Sequence, residues 1–75
     1  MKRRRPNMQY LLCVQNEDYP ASLMTRRLYE QILDPEAEAR GLVRVIDESG
    51  EDYLYPRKLF ANLELPRTVL RALAV

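Results

Sequence analysis

The sequence predicts an all-β domain of five strands with a short C-terminal helix, and a central hairpin carries most of this prediction. Residues 42–47 alternate between apolar and polar side chains, which is the period-two pattern of a half-buried strand. Ser49-Gly50 then supplies the glycine that a hairpin bend requires. The returning strand, 53–55, is rich in aromatic residues and ends at Pro56, which cannot donate a ladder hydrogen bond.

Two segments precede this hairpin. The apolar run Tyr10–Val14 predicts a buried strand, and the polar stretch Gln15–Pro20 predicts a loop. Residues 22–33 fit two interpretations, a helix capped by Ser22 or a strand over 28–33. The apolar stripe of such a helix would consist of Met24, Leu28 and Ile32. Helix propensity favours the first interpretation, and the resemblance described below favours the second.

A short helix is predicted between this segment and the hairpin. Asp34-Pro35 breaks the chain in either interpretation, because the residue before proline is pushed out of the helical region. The stretch Glu36–Arg40 begins with acidic residues, which the helix dipole favours, and Gly41 suits the position after the helix end.

The chain after the hairpin is divided by two prolines. Pro56 fits the first position of a helical turn that extends to Phe60, and Ala61–Leu65 predicts the last strand. Pro66 opens a terminal helix over residues 66–75. Its apolar side consists of Val69, Leu70 and Leu73. A helix this short needs the rest of the domain, or a partner, to hold it.

Charge is distributed unevenly along the 75 residues. Net charge is +1, yet Lys2, Arg3, Arg4 and Arg5 alone carry four positive charges, so the rest of the chain sums to −3. We therefore expect residues 1–8 to form a disordered basic tail, while the rest of the domain is mildly acidic. Such a tail could contact phosphate, but so few charges support only weak, salt-sensitive binding.

The single cysteine bears on the cellular compartment in which we expect the protein. Cys13 lies in the first apolar run and is expected to be a small buried hydrophobe, and one cysteine cannot form an intramolecular disulfide. We therefore expect a cytoplasmic protein. The apolar run is too short for a signal peptide or a membrane span.

The order of elements resembles the Src-homology-3-like small β-barrel. In that family a hairpin feeds a strand that ends in proline, a single helical turn follows, and a closing strand completes the barrel. Pro56 matches the family proline, and Leu59 or Phe60 matches the aromatic residue after it. Residues 21–33 would match the diverging turn and second strand. The resemblance covers residues 9–65 and implies a five-stranded barrel; the chain also resembles small bacterial proteins with a DESGEDYLYP-type stretch.

The chain departs from that family where the family binds its polyproline ligands. The ligand groove is lined by tyrosines near the first strand and a tryptophan on the third, whereas this chain has no tryptophan. Leu42 and Val43 occupy the third-strand positions, and polar residues 15–18 follow the first strand. Polyproline recognition depends on those aromatic walls, so this ligand class is not expected here.

Acidic residues crowd the hairpin turn at Asp47, Glu48, Glu51 and Asp52. Their spacing lacks the alternating ligands of a calcium loop, so we expect a solvated turn that pairs with Arg44 or Arg57 rather than a metal site. The sequence also has no histidine, phosphate-binding glycine loop or zinc spacing. We therefore expect no catalytic residues, no metal and no cofactor.

These observations predict a non-enzymatic cytoplasmic module that binds another protein. The predicted contact surface is aromatic, with an acidic rim that selects a basic partner. The surface consists of Tyr53, Tyr55, Pro56 and Phe60, and the rim of Glu48, Glu51 and Asp52. Whether Tyr53 and Tyr55 face the core or the solvent is open at this point. The alternative is a nucleic-acid-binding barrel that uses the Lys2–Arg5 arm with Arg57, Lys58, Arg67 and Arg71.

Overall fold

A computed structural model describes residues 9–73, and five strands form most of its regular structure. The strands are β1 (Gln9–Cys13), β2 (Leu28–Ile32), β3 (Leu42–Ile46), β4 (Asp52–Pro56) and β5 (Phe60–Asn62). Helix α1 (Pro35–Ala39) joins β2 to β3, a single 3-10 turn (Arg57–Leu59) joins β4 to β5, and α2 (Arg67–Leu73) follows β5. The predicted all-β architecture with a short terminal helix is confirmed. The basic tail predicted for residues 1–8 lies outside the described residues.

The five strands form one antiparallel sheet in the order β4-β3-β2-β1-β5. Leu11 of β1 pairs with Tyr29 on one side and with Asn62 on the other, so the last strand returns beside the first. The β3–β4 hairpin pairs from Leu42 and Pro56 at one end to Ile46 and Asp52 at the other. Strands β4 and β5 are the two edges of this sheet.

The segment 22–33 holds a strand rather than a helix. β2 lies between β1 and β3 and forms ladders with both. Met24, which would belong to the apolar stripe of a helix, is instead 48% exposed in the β1–β2 loop. Hydrogen bonding to two neighbouring strands therefore overrides the local helix propensity.

One hydrophobic core lies on the inward face of the sheet. Its members come from alternate strand positions, from Leu23 in the β1–β2 loop and from Leu59 in the 3-10 turn. The strand members are Leu11, Cys13, Tyr29, Val43, Val45 and Tyr55. Cys13 is fully buried, as predicted, and burial raises the pKa of its thiol. Leu23 is also fully buried, so the β1–β2 loop closes the core at the end where β3 meets the hairpin turn.

Helix α1 starts where the sequence predicts a break. Oδ1 of Asp34 accepts a hydrogen bond from the backbone N–H of Ala37 at 3.2 Å, and Pro35 occupies the first helical turn. Gly41 follows with φ +80°, a left-handed conformation that glycine adopts without strain. Ala37 is buried, so α1 packs against the sheet although it has only five residues.

The predicted last strand shifts, and the terminal helix lies on the surface. The last strand starts at Phe60 and ends at Asn62 rather than spanning 61–65, because the ladder with β1 stops there. Helix α2 buries none of its residues, and the Tyr10 hydroxyl donates to the carbonyl of Leu73 at 3.4 Å. No helix within residues 9–73 is long and apolar enough to cross a membrane.

Candidate functional site

The β3–β4 hairpin positions most of the residues that the sequence singles out. Its turn is closed by two backbone hydrogen bonds, from Asp47 N–H to the carbonyl of Glu51 at 3.0 Å and from Gly50 N–H to the carbonyl of Asp47 at 2.9 Å. Gly50 has φ +87°, which explains why a glycine stands in this turn. The turn therefore has a defined backbone conformation, which determines the positions from which its side chains project.

Asp47 is an internal anchor of this hairpin rather than a solvated acid. Its side chain accepts hydrogen bonds from the Ser49 backbone at 2.8 Å, the Ser49 hydroxyl at 2.5 Å and the Tyr55 hydroxyl at 2.5 Å. The residue is only 6% exposed. Burial alone would raise its pKa, but the hydrogen bonds from Ser49 and Tyr55 outweigh burial and hold the pKa of Asp47 below its ordinary value.

Glu48 joins the hairpin to the β1–β2 loop. Its Oε2 accepts a 2.5 Å hydrogen bond from the Tyr29 hydroxyl, and its carboxylate pairs with Nη1 of Arg27 at 3.2 Å. Its backbone N–H donates to the carbonyl of Ser22 at 3.0 Å. Burial and the Glu48 carboxylate together raise the pKa of Tyr29 to about 12, so this hydroxyl stays protonated at neutral pH.

The other two acids of the turn also have protein partners. Oδ2 of Asp52 pairs with Nη1 of Arg44 at 3.0 Å, and Oε1 of Glu51 accepts from the Tyr53 hydroxyl at 3.1 Å. Arg44 was one of the two partners predicted for these acids. Across residues 9–73, no group of three or more carboxylate or thiol side chains has an arrangement that could hold a metal ion.

The two tyrosines of β4 have different environments. Tyr53 is 49% exposed, whereas Tyr55 is 4% exposed and packs edge-on against Tyr19 with ring centroids 5.0 Å apart. Both lie on the same face of β4, but only Tyr55 belongs to the core cluster. Phe60 is partly buried, with its ring centroid 6.4 Å from those of both Tyr29 and Tyr55. Tyr55 is thus a core residue, and Phe60 lies against the core.

Leu54 is the exposed residue that the sequence prediction did not include. It is 40% exposed because its side chain points to the face opposite Tyr55. Pro56, the remaining aromatic-surface candidate, is half-buried at the end of β4, opposite Leu42. The alternation of side chains along a strand could have predicted the exposure of Leu54. Because Tyr55 points inward, its neighbour Leu54 must point outward.

A depression of about 370 Å³, here called the hairpin cleft, lies between the hairpin and the β1–β2 loop. Its walls and floor combine aromatic rings with short polar side chains. They are formed by Tyr19, Ser22, Asp47, Ser49, Tyr53, Leu54 and Tyr55.

A second depression of about 310 Å³, here called the end cavity, lies at the other end of the hairpin. Strands β1, β2, β3 and β5, helix α1 and the 3-10 turn all contribute to it. Its lining consists of Gln9, Leu11, Gln31, Leu33, Glu38, Val43, Arg57, Phe60 and Asn62.

Comparison with known proteins assigns neither depression a role. The chain matches no protein-family model, no curated protein and no solved structure. The two depressions must therefore be interpreted from their own chemistry.

Proposed function

We propose that the protein is a Src-homology-3-like small barrel that acts in the cytoplasm as a non-enzymatic interaction module. The 3-10 turn after Pro56 and the pairing of the last strand with the first support the barrel assignment, because the resemblance implies a helical turn after the family proline and then a closing strand. The module binds another protein through the hairpin cleft.

The observation that carries this proposal is the exposure of Tyr53 and Leu54 on a fixed hairpin. Tyr53 and Leu54 lie on opposite faces of the edge strand β4 but both line the hairpin cleft, and at 49% and 40% exposed they offer apolar contact area on either side of that edge. Tyrosine also brings this area at a low cost in side-chain entropy. The bonds of Asp47 and Glu48 to buried tyrosine hydroxyls hold the backbone beneath, so little ordering is needed on binding.

The rim of the cleft selects the chemistry of the partner. Glu51 and Asp52 lie at the exposed start of β4, beside Tyr53. Glu48 pairs with Arg27 and Asp52 pairs with Arg44, so both contribute less to the rim than the sequence suggested, and Glu51 carries most of its charge. A partner segment with an apolar side chain next to a lysine or arginine would match both the contact surface and the rim.

Paired substitutions test this assignment. Immobilised wild-type protein, the double variant Tyr53→Ser/Leu54→Ser and the control Val14→Ser are each incubated with extract of the native cell, and retained proteins are quantified. Val14 is 51% exposed, like the target residues, but does not line the hairpin cleft. We expect that wild type and Val14→Ser retain a protein that the double variant does not retain. In purified form, this retained protein should bind the wild-type domain with one-to-one stoichiometry.

Equal retention by all three forms would contradict the proposed surface. The double variant should remain folded, because both side chains are outside the core. A backbone amide spectrum with unchanged shifts for the buried strand residues verifies this.

A nucleic-acid-binding role has support from one observation. Arg57, Lys58, Arg67 and Arg71 form no ion pair with any of the residues 9–73. Free cations on a surface favour phosphate contact, although the acidic residues of the same body oppose it. Titration of a mixed-sequence oligonucleotide at low salt, with the full chain and with a variant that lacks residues 1–6, separates the two proposals. Only the nucleic-acid role predicts that the deletion greatly weakens oligonucleotide binding.

A further inference from the structure

The end cavity is lined by two opposite charges that do not neutralise each other. Arg57 forms no ion pair within the described part of the chain. Glu38 accepts hydrogen bonds at Oε2 only, from Nε2 of Gln31 at 3.2 Å and from the Asp34 backbone N–H at 3.3 Å. A guanidinium and a carboxylate thus line the same space of about 310 Å³, each with free hydrogen-bonding capacity.

Polar side chains occupy inward-facing strand positions around this cavity. Gln9, Gln31 and Asn62 each lie two residues from an inward-facing core or core-packed residue, so they point to the same face. Burying such amides without partners would be costly. Gln31 is buried and its Nε2 donates to Glu38, whereas Gln9 and Asn62 are exposed, so two of the three amides are accessible at the cavity.

The floor of the cavity includes apolar side chains, and its acidic wall is fixed. Leu11 and Val43 are buried there, and Phe60 packs against the same core. Helix α1 holds the acidic wall, since the Glu38 carboxylate is bonded to both Gln31 and the helix cap. The anion is therefore preorganised, whereas the exposed Arg57 side chain, which has no ion pair within residues 9–73, remains available to a ligand.

We propose that the end cavity binds one apolar α-amino acid unit, either a free amino acid or the C-terminal residue of a peptide. Both sources share the same chemistry. The carboxylate lies against Arg57, the α-nitrogen donates to Glu38, and the apolar side chain packs on Leu11, Val43 and Phe60. A volume of about 310 Å³ suits a ligand of this size. This site is independent of the hairpin cleft.

Ligand titration followed by NMR tests the proposal. The side-chain amide resonances of Gln31 and Asn62 report from the cavity wall, and the ligands are leucine, N-acetylleucine and leucinamide. We expect leucine or N-acetylleucine to shift both resonances with a dissociation constant in the millimolar range. Leucinamide, which lacks the carboxylate, should bind about tenfold more weakly or worse. Tighter binding of leucine identifies the free amino acid as the source, and tighter binding of N-acetylleucine identifies a peptide C-terminus.

Two charge-removing variants give a matched comparison. Arg57→Gln should weaken binding of the preferred ligand about tenfold or more, whereas Lys58→Gln, the same charge change one residue away and outside the cavity lining, should leave it unchanged. Neither residue is buried, so both variants should fold. Equal affinities for these two variants, or Gln31 and Asn62 resonances that do not move up to the solubility of the ligands, would overturn the proposal.

Discussion

The Tyr55 hydroxyl donates a buried 2.5 Å hydrogen bond to Oδ2 of Asp47, and this bond spans the β3–β4 hairpin. Replacing Tyr55 with phenylalanine keeps the ring in the core but leaves a buried carboxylate oxygen without this donor. We expect Tyr55→Phe to lower the free energy of unfolding by about 1–3 kcal/mol. Urea denaturation of the purified domain measures the loss.

Tyr53→Phe is the matched control for this substitution. The Tyr53 hydroxyl also donates to a carboxylate, that of Glu51, but this bond is exposed to solvent. Its loss should leave the free energy of unfolding nearly unchanged. Equal losses for the two variants would show that the burial of Asp47 does not determine the strength of its hydrogen bond.

Acid should destabilise the protein through Asp47. The folded-state pKa of this carboxyl is lowered relative to the unfolded chain, so its contribution to stability is present above about pH 4 and is lost as pH falls through the folded pKa. Asp47→Asn should therefore flatten the decline in unfolding free energy below about pH 4. Asp18→Asn, at an exposed loop residue, should leave that decline intact. Parallel slopes for both variants would contradict the assignment.

Alkali should act through Tyr29. Its folded-state pKa of about 12 exceeds the unfolded value of about 10, so the stabilisation is present below about pH 10 and is lost as pH rises toward 12. Tyr29→Phe should reduce the alkaline loss of unfolding free energy. Burial and the hydrogen bond to Asp47 also raise the pKa of Tyr55, so Tyr55 should account for part of the alkaline loss of unfolding free energy that remains in Tyr29→Phe. A phenolate absorbance titration of the folded protein in which every tyrosine ionises with a midpoint near pH 10 would be inconsistent with this expectation.

The elements that the sequence predicts well are those with local signals. The hairpin turn depends on Gly50, the helical turn on Pro56 and the α1 start on Asp34-Pro35, and each acts through its own backbone. Those signals need no knowledge of distant residues, and this is why the elements fall within a few residues of their predicted positions.

The features that the sequence does not predict depend on contacts between distant segments. Tyr53 and Tyr55 share one face of β4, and only the position of Leu23 and Tyr19, more than thirty residues earlier, decides which tyrosine is covered. β2 becomes a strand because strands lie on both sides of it. The end cavity likewise unites Arg57 with Glu38, which no local pattern connects.

The Asp34 side chain makes two separable contributions that a pair of substitutions can distinguish. Oδ1 caps helix α1, and Oδ2 pairs with Nε of Arg44 at 2.9 Å. Asp34→Ala removes both and should lower the free energy of unfolding. Asp34→Asn keeps an acceptor for the cap and removes only the charge, so it should lower the free energy of unfolding less than Asp34→Ala does.

Hydrogen exchange at the backbone amide of Ala37 distinguishes the two contributions. It should accelerate in the alanine variant and change little in the asparagine variant, because only the alanine variant leaves this N–H without its acceptor. Equal exchange rates in the two variants would mean that the ion pair, rather than the cap, holds the start of the helix.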